Sequence, residues 1–257
     1  MFPIGDDNSD RTITPIVNYV LIAANVLVFV LFQGLGGNDR FTYAWSAVPQ
    51  EIVTGRDVVT PPRVLQDPAS GDRFELPGLQ PTPVSVYLTL LTSMFMHGSI
   101  MHIFGNMLFL WIFGDNLEDR MGHVRYLLFY LLCGIVASLA HVISTVMLGG
   151  NQLVPSLGAS GAISGVLGGY VLLFPRRQVR VIIFRMLTTV PAYVALGLWF
   201  VLQLIEGLGI LGSGAQEGGV AYAAHIGGFI AGLMLVKLFD QGGARGGASP
   251  LQGFGRG

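Results

Sequence analysis

Charged residues make up only 11% of this 257-residue chain, hydrophobic ones make up 52%, and the mean hydropathy is +0.62. A soluble globular domain carries about 25% charged residues, so the composition excludes one and indicates a multi-pass membrane protein. The formal net charge of -1 carries no message about partners, and no basic or aromatic tract points to nucleic acid.

Taken in order, residues 1–15 are a polar, acidic tail without the basic start of a cleavable leader, so the first apolar run is expected as a retained span. That run, residues 16–33, is close to the minimum length for a transmembrane helix. Residues 34–86 form a long first loop. Phe41, Tyr43 and Trp45 at its start predict a short structure at the membrane surface, and the Pro-rich part from Pro61 to Pro83 predicts an irregular excursion. Residues 88–114 read as a second span interrupted by His97, His102 and Asn106, with Asp115, Glu118, Asp119 and Arg120 closing it in water. Residues 124–148 are a third span, and the single cysteine, Cys133, lies in it as a buried small hydrophobe. A short fourth span covers 160–174, a fifth covers 186–205 with Pro191 as a kink, and the last covers 220–239 after a Gly-rich connection at 207–219. The Gly-rich tail, 241–257, is expected to be disordered.

The expected fold is therefore an all-α membrane protein of six transmembrane helices, with both termini on one side. Arg176, Arg177, Arg180 and Arg185 follow the fourth span, and the connections on the opposite face lack Lys and Arg apart from Arg40, Arg56, Arg63 and Arg73 of the long first loop. Basic loops stay cytoplasmic, which puts both termini in the cytoplasm. Spans two, four and six then run inward in parallel. His102, Asn106, Ser160 and His225 all fall at similar depth in the outer half of the bilayer.

A serine hydroxyl becomes a nucleophile when a base takes its proton. Neutral His225 is a candidate base for Ser160 and a proton donor to the leaving amine. Asn106, His102 (one turn earlier) and the Ser160 amide are candidate donors to a developing oxyanion. With no carboxylate inside a span at this level, a Ser–His dyad is expected. Gly161, Gly165 and Gly169, and Gly228 and Gly232, recur at four-residue intervals. Such small residues allow close helix packing in lipid, which would bring Ser160 to an imidazole on a neighbouring helix. His141 reads as structural or interfacial, His123 as a solvated loop residue, and His97 stays open between packing, hydrogen bonding and site entry.

Three motifs, Gly158-Ala159-Ser160-Gly161, Ala224-His225-Ile226-Gly227-Gly228-Phe229-Ile230-Ala231-Gly232 and His97-Gly98-Ser99-Ile100-Met101-His102-Ile103-Phe104-Gly105-Asn106, together resemble the rhomboid family of intramembrane serine proteases. The resemblance covers about residues 16–239. It implies a six-helix catalytic domain (16–240) that opens to the extracytoplasmic side and cleaves transmembrane protein substrates. By motif position, Ser160 is the nucleophile, His225 the base, His102 and Asn106 the oxyanion-hole donors, and Gly158 shapes the turn before the nucleophile. Some members carry a Tyr four residues after the nucleophile, stacked on the catalytic His, where this chain has Ser164; the Trp-Arg pair that some carry in the first loop has no match.

A rhomboid-like pseudoprotease, binding transmembrane helices without cutting them, is the main alternative, but inactive relatives typically lack the nucleophile or the base. A transporter would place ionisable groups near the midplane of several spans. A metalloprotease would need a His-Glu-x-x-His spacing that His97 and His102 do not have. The expected function is thus a serine endopeptidase of a bacterial plasma membrane, with the lipid bilayer and transmembrane proteins as partners and no cofactor or metal. The sequence leaves its oligomeric state and its substrate open.

Overall fold

The computed structural model describes residues 2–66, 73–184, 186–207 and 222–241. The Gly-rich connection before the last span and the C-terminal tail lie outside the described residues, as does Arg185. In chain order the elements are β1 (Phe2–Asp6), α1 (Ile16–Leu27, prolonged by a π turn at Val28–Phe32), α2 (Asp39–Ala44), α3 (Pro49–Thr54), β2 (Arg63–Gln66), β3 (Arg73–Leu76), α4 (Thr89–Thr92), α5 (Ile100–Met121), α6 (His123–Met147), α7 (Ser160–Leu173), β4 (Gln178–Ile183), β5 (Met186–Pro191), α8 (Ala192–Gly207) and α9 (Tyr222–Phe239). Three of these helices, α5, α6 and α9, are long and apolar enough to cross a membrane; Ile16–Phe32, Val86–Phe95, α7 and α8 are shorter apolar helical segments.

The long polar first loop is more ordered than its composition predicts. Asn38 caps α2 by accepting from the Phe41 amide, and α3 starts at Pro49 and stops at Gly55, whose φ of 68° ends the helix in the left-handed region. Within the Pro-rich excursion, β2 and β3 pair antiparallel.

The second span differs most from its expected bounds. The chain is helical over Val86–Phe95, breaks at His97 and Gly98, and restarts as α5, where Ser99 caps the helix by accepting from the His102 amide. Helix α5 then runs on to Met121, so Asp115, Glu118, Asp119 and Arg120 lie within it rather than closing it in water. Asp115 and Glu118 are buried because other elements supply their partners. Glu118 accepts from the Val17 and Asn18 amides (2.9 and 2.7 Å) and so caps α1, and it contacts His123 Nδ1; His123 opens α6 rather than sitting in a loop. Arg11 pairs with Asp115 at 2.7 Å, and Asp119 accepts from the Thr12 and Ile13 amides.

The all-α expectation needs a second correction. Strands β4 and β5 pair antiparallel, and the polar N-terminal tail adds β1 as an antiparallel edge strand, with Phe2 opposite Ile182 and Asp6 opposite Val179. The reason is local: in Gln178-Val179-Arg180-Val181 the valines are fully buried and the polar residues point outward, the two-residue period of a strand. The helix expected as the fifth span accordingly begins at Ala192. Pro191 is the last residue of β5 and marks the boundary instead of kinking a helix.

The core lies among α5, α6, α7 and α9, filled by the fully buried Phe113, Tyr126, Phe129, Tyr130, Leu167 and Tyr170. Two pairs tie together the far ends of the helices. Arg177, after α7, donates to Asn116 of α5 at 2.5 Å, and Arg120 of α5 pairs with Asp240, after α9, at 2.6 Å. Helices α5, α7 and α9 therefore run parallel, with their first turns gathered at the opposite end.

Candidate active site

Helix α7 opens at Ser160. As the first helical residue it has an amide with no carbonyl of its own helix to bond. The approach is set by Gly158, whose φ of +119° is costly for any residue with a side chain, and whose missing Cβ would stand 2.8 Å from His102 Nε2. Its amide is held by the Ser93 carbonyl at 2.9 Å. The half-buried Ser160 hydroxyl lies 2.8 Å from His225 Nε2, one turn into α9.

The close approach of α7 and α9 is a backbone contact. A Cβ on Gly228 would lie 2.1 Å from the Gly161 carbonyl oxygen, and one on Gly232 would lie 2.0 Å from that of Gly165. On the α7 stripe, Cβ positions at Gly161 and Gly165 would meet α6 first, at Ala137 and Cys133 (2.7 and 2.4 Å), and α9 only at 3.3 Å or beyond. Gly168, one residue off that stripe, is the α7 glycine that admits the α9 backbone, at the Phe229 carbonyl. So Gly161, Gly228 and Gly232 all pack at the interface that holds Ser160 to His225, with α6 wedged behind.

His102 and Asn106 stand on α5 and share with Ser160 and His225 the lining of a 520 Å³ cavity. The Gly98 amide reaches His102 Nδ1 at 3.3 Å. A backbone N–H can only donate, so Nδ1 carries the lone pair and Nε2 carries the proton. Asn106 is buried and its Nδ2 has no hydrogen-bond partner among the described residues. An unpaired buried amide is costly. His97 is fully buried between Phe29 and His102, its backbone clamped by both ends of the Gln33 amide, and neither of its ring nitrogens has a hydrogen-bond partner among the described residues.

Two residues around His225 were not picked out from the sequence. Gln203 Oε1, on α8, lies 2.5 Å from His225 Nδ1, and Trp199, one turn earlier on the same helix, packs on the imidazole with ring centroids 6.1 Å apart. Ser164 does not reach the ring; its hydroxyl bonds back to the Ser160 carbonyl at 2.7 Å. A lone amide in an otherwise apolar span was the available signal for Gln203, since such groups bond across helices. Its helical face was not readable.

The family model for the rhomboid domain matches residues 85–241, from the segment before α5 to the end of α9. The chain belongs to the rhomboid family. Among its rhomboid relatives, "Rhomboid protein 1, mitochondrial" of Saccharomyces cerevisiae is 31% identical over 61% of this chain and 43% of the yeast protein. "Rhomboid protease GluP" of Bacillus subtilis is 29% identical over 85% of this chain and 34% of GluP. The human "Presenilin-associated rhomboid-like protein, mitochondrial" is 29% identical over 45% of the chain and 32% of its own length. The chain thus matches less than half the length of each of these relatives.

Proposed function

We propose that this chain is an intramembrane serine endopeptidase that cleaves transmembrane protein substrates. The observation that carries the reading is the 2.8 Å approach of Ser160 Oγ to His225 Nε2 beside the unpartnered Asn106 amide. In the proposed reaction, Ser160 Oγ attacks the scissile carbonyl carbon as its proton passes to His225 Nε2. The oxyanion of the tetrahedral intermediate accepts from Asn106 Nδ2–H, His102 Nε2–H and the Ser160 amide. Collapse breaks the C–N bond, with the His225 proton going to the leaving amine. Water, deprotonated by His225, then attacks the acyl ester and releases Ser160.

In the proposed topology six helical segments cross the bilayer: Ile16–Phe32, α5, α6, α7, α8 and α9, with both termini cytoplasmic and residues 16–240 as the catalytic domain. At 1.5 Å per residue a 14-residue α7 spans about 21 Å, short of the ~30 Å hydrocarbon core. With its C-terminal end at the cytoplasmic face, its first residue, Ser160, lies below the opposite surface, at a depth suited to a bond near or within the membrane. The relatives' sources offer a bacterial and a mitochondrial bilayer; the broader match, to the Bacillus subtilis protein, favours a bacterial plasma membrane.

The test uses purified protein in proteoliposomes with a single-span model substrate. Wild type is expected to cut it and to react with a fluorophosphonate, while Ser160→Ala is expected to lose both, with the cut site located by mass spectrometry. Substrate binding without cleavage by wild type, or full cleavage by Ser160→Ala, would refute the proposal.

A further inference from the structure

The geometry points to Gln203 as a positioning residue for His225: its amide oxygen fixes the imidazole tautomer and ring orientation from the neighbouring helix, in the place a carboxylate would take in a triad. The inference rests on His225 being the base, as proposed above. Gln203 Oε1 lies 2.5 Å from His225 Nδ1. An amide oxygen can only accept, so Nδ1 must carry the proton. In a neutral ring the lone pair is then on Nε2, the nitrogen that lies 2.8 Å from Ser160 Oγ. The opposite tautomer would leave Nε2 with a proton and unable to act as a base.

The contact is supported from both sides. Trp199 and Gln203 are four residues apart on α8, so both project onto the same face of that helix, and both meet His225. Between them, Phe200 stacks on Phe229 of α9 at 4.4 Å, which holds the two helices in register. Tyr222 meets the imidazole edge-on at 6.5 Å from its own helix. The ring is thus enclosed where Ser164 contributes nothing to it. The chemistry also favours an amide here. An unpaired carboxylate in a membrane-embedded site carries a desolvation cost of several kcal/mol, whereas a neutral acceptor orients the ring at far less cost.

The other ionisable groups around His225 are His102 of α5, His141 of α6 and Tyr222 of α9, the last with Glu206 of α8 as a charged neighbour. None of these accepts from Nδ1, so Gln203 is the position at which charge can be altered at that atom.

The test compares wild type, Gln203→Leu and Gln203→Glu in proteoliposomes. Gln203→Leu is expected to lower kcat by about 10- to 100-fold, a part of what general base catalysis supplies, with KM changed less than about twofold. Gln203→Glu is expected to recover most of kcat and to move the acidic limb of the kcat profile to higher pH, because a carboxylate beside Nδ1 favours the protonated ring. An unchanged kcat in Gln203→Leu overturns the inference, and so does a Gln203→Glu variant as impaired as Gln203→Leu or with an unmoved acidic limb. Should Gln203→Leu not fold, Gln203→Glu decides alone by the same criterion. A readout that needs no proteolysis uses Ser160→Ala protein with 15N-labelled histidine, the His225 signals being identified by their loss in a His225→Asn variant. The Nδ1–H tautomer is expected to dominate, and adding Gln203→Leu is expected to mix the two. A tautomer population unaffected by Gln203→Leu overturns the inference, whereas failure of wild type to cut any substrate refutes the proposed function and leaves this measurement readable.

Discussion

Gly228→Ala tests how far the site depends on backbone contact between α7 and α9. The new methyl would start 2.1 Å from the Gly161 carbonyl oxygen. Carbon–oxygen contacts normally settle at about 3.3–3.6 Å, so the helices must part by about 1.3 Å at that level. Gly161 adjoins Ser160 in sequence, and Gly228 lies one turn from His225. The same displacement therefore stretches the 2.8 Å Ser160–His225 contact to about 4 Å, where it is no longer a hydrogen bond. Overpacking of this kind costs about 1–3 kcal/mol of stability, which a well-buried bundle survives. The larger expected effect is on rate, roughly 100-fold for about 1 Å of misplacement. The assay is single-turnover cleavage of a model transmembrane substrate, normalised to the monodisperse fraction. Gly197→Ala is the control, because its Cβ would meet nothing within 4 Å. Cleavage by Gly228→Ala within threefold of wild type would refute the reasoning.

Asn106→Ala is expected to reduce kcat by about 100-fold or more with KM little changed, since its unpartnered amide is assigned to the transition state rather than to substrate binding; steady-state kinetics in liposomes check this, and a loss confined to KM would contradict the assignment. At the other end of the bundle, burial raises Asp6 from 3.8 to about 7, although Tyr170 and Asn116 both donate to its Oδ2 and oppose that rise. The folded state thus favours the protonated carboxyl, so the stability it contributes is complete below about pH 4 and is lost as pH rises through about 7. The displacement is worth at most about 4 kcal/mol. Thermal unfolding between pH 5 and 8 is expected to show a smaller pH dependence in Asp6→Asn than in wild type, and equal slopes would argue against it.

Hydropathy placed α6 to within one residue at each end because a run of apolar residues is a local property. The same locality explains the failures. Asp115 and Glu118 look like the watery end of a span, yet both are buried inside α5, because the residues that satisfy them, Arg11 and the Val17 and Asn18 amides, lie about a hundred positions away. The alternation in residues 178–183 is that of a strand, yet the all-α expectation passes over it, and its neighbour β1 comes from the far end of the chain.

For the candidate site, Ser160, His225, His102 and Asn106 are named by their shared depth in parallel spans and by motifs that resemble the rhomboid family; in the Ser160 and His225 motifs the neighbouring glycines also lie against another helix. What only the tertiary structure decided is how the helices turn toward one another. Gly161 and Gly165 lie closest to α6 while their carbonyls meet α9, Gly168 admits the Phe229 carbonyl, and Gln203 turns inward to His225. The reason is that helical periodicity fixes which residues share a face, whereas the direction of that face is set by packing among residues distant in sequence.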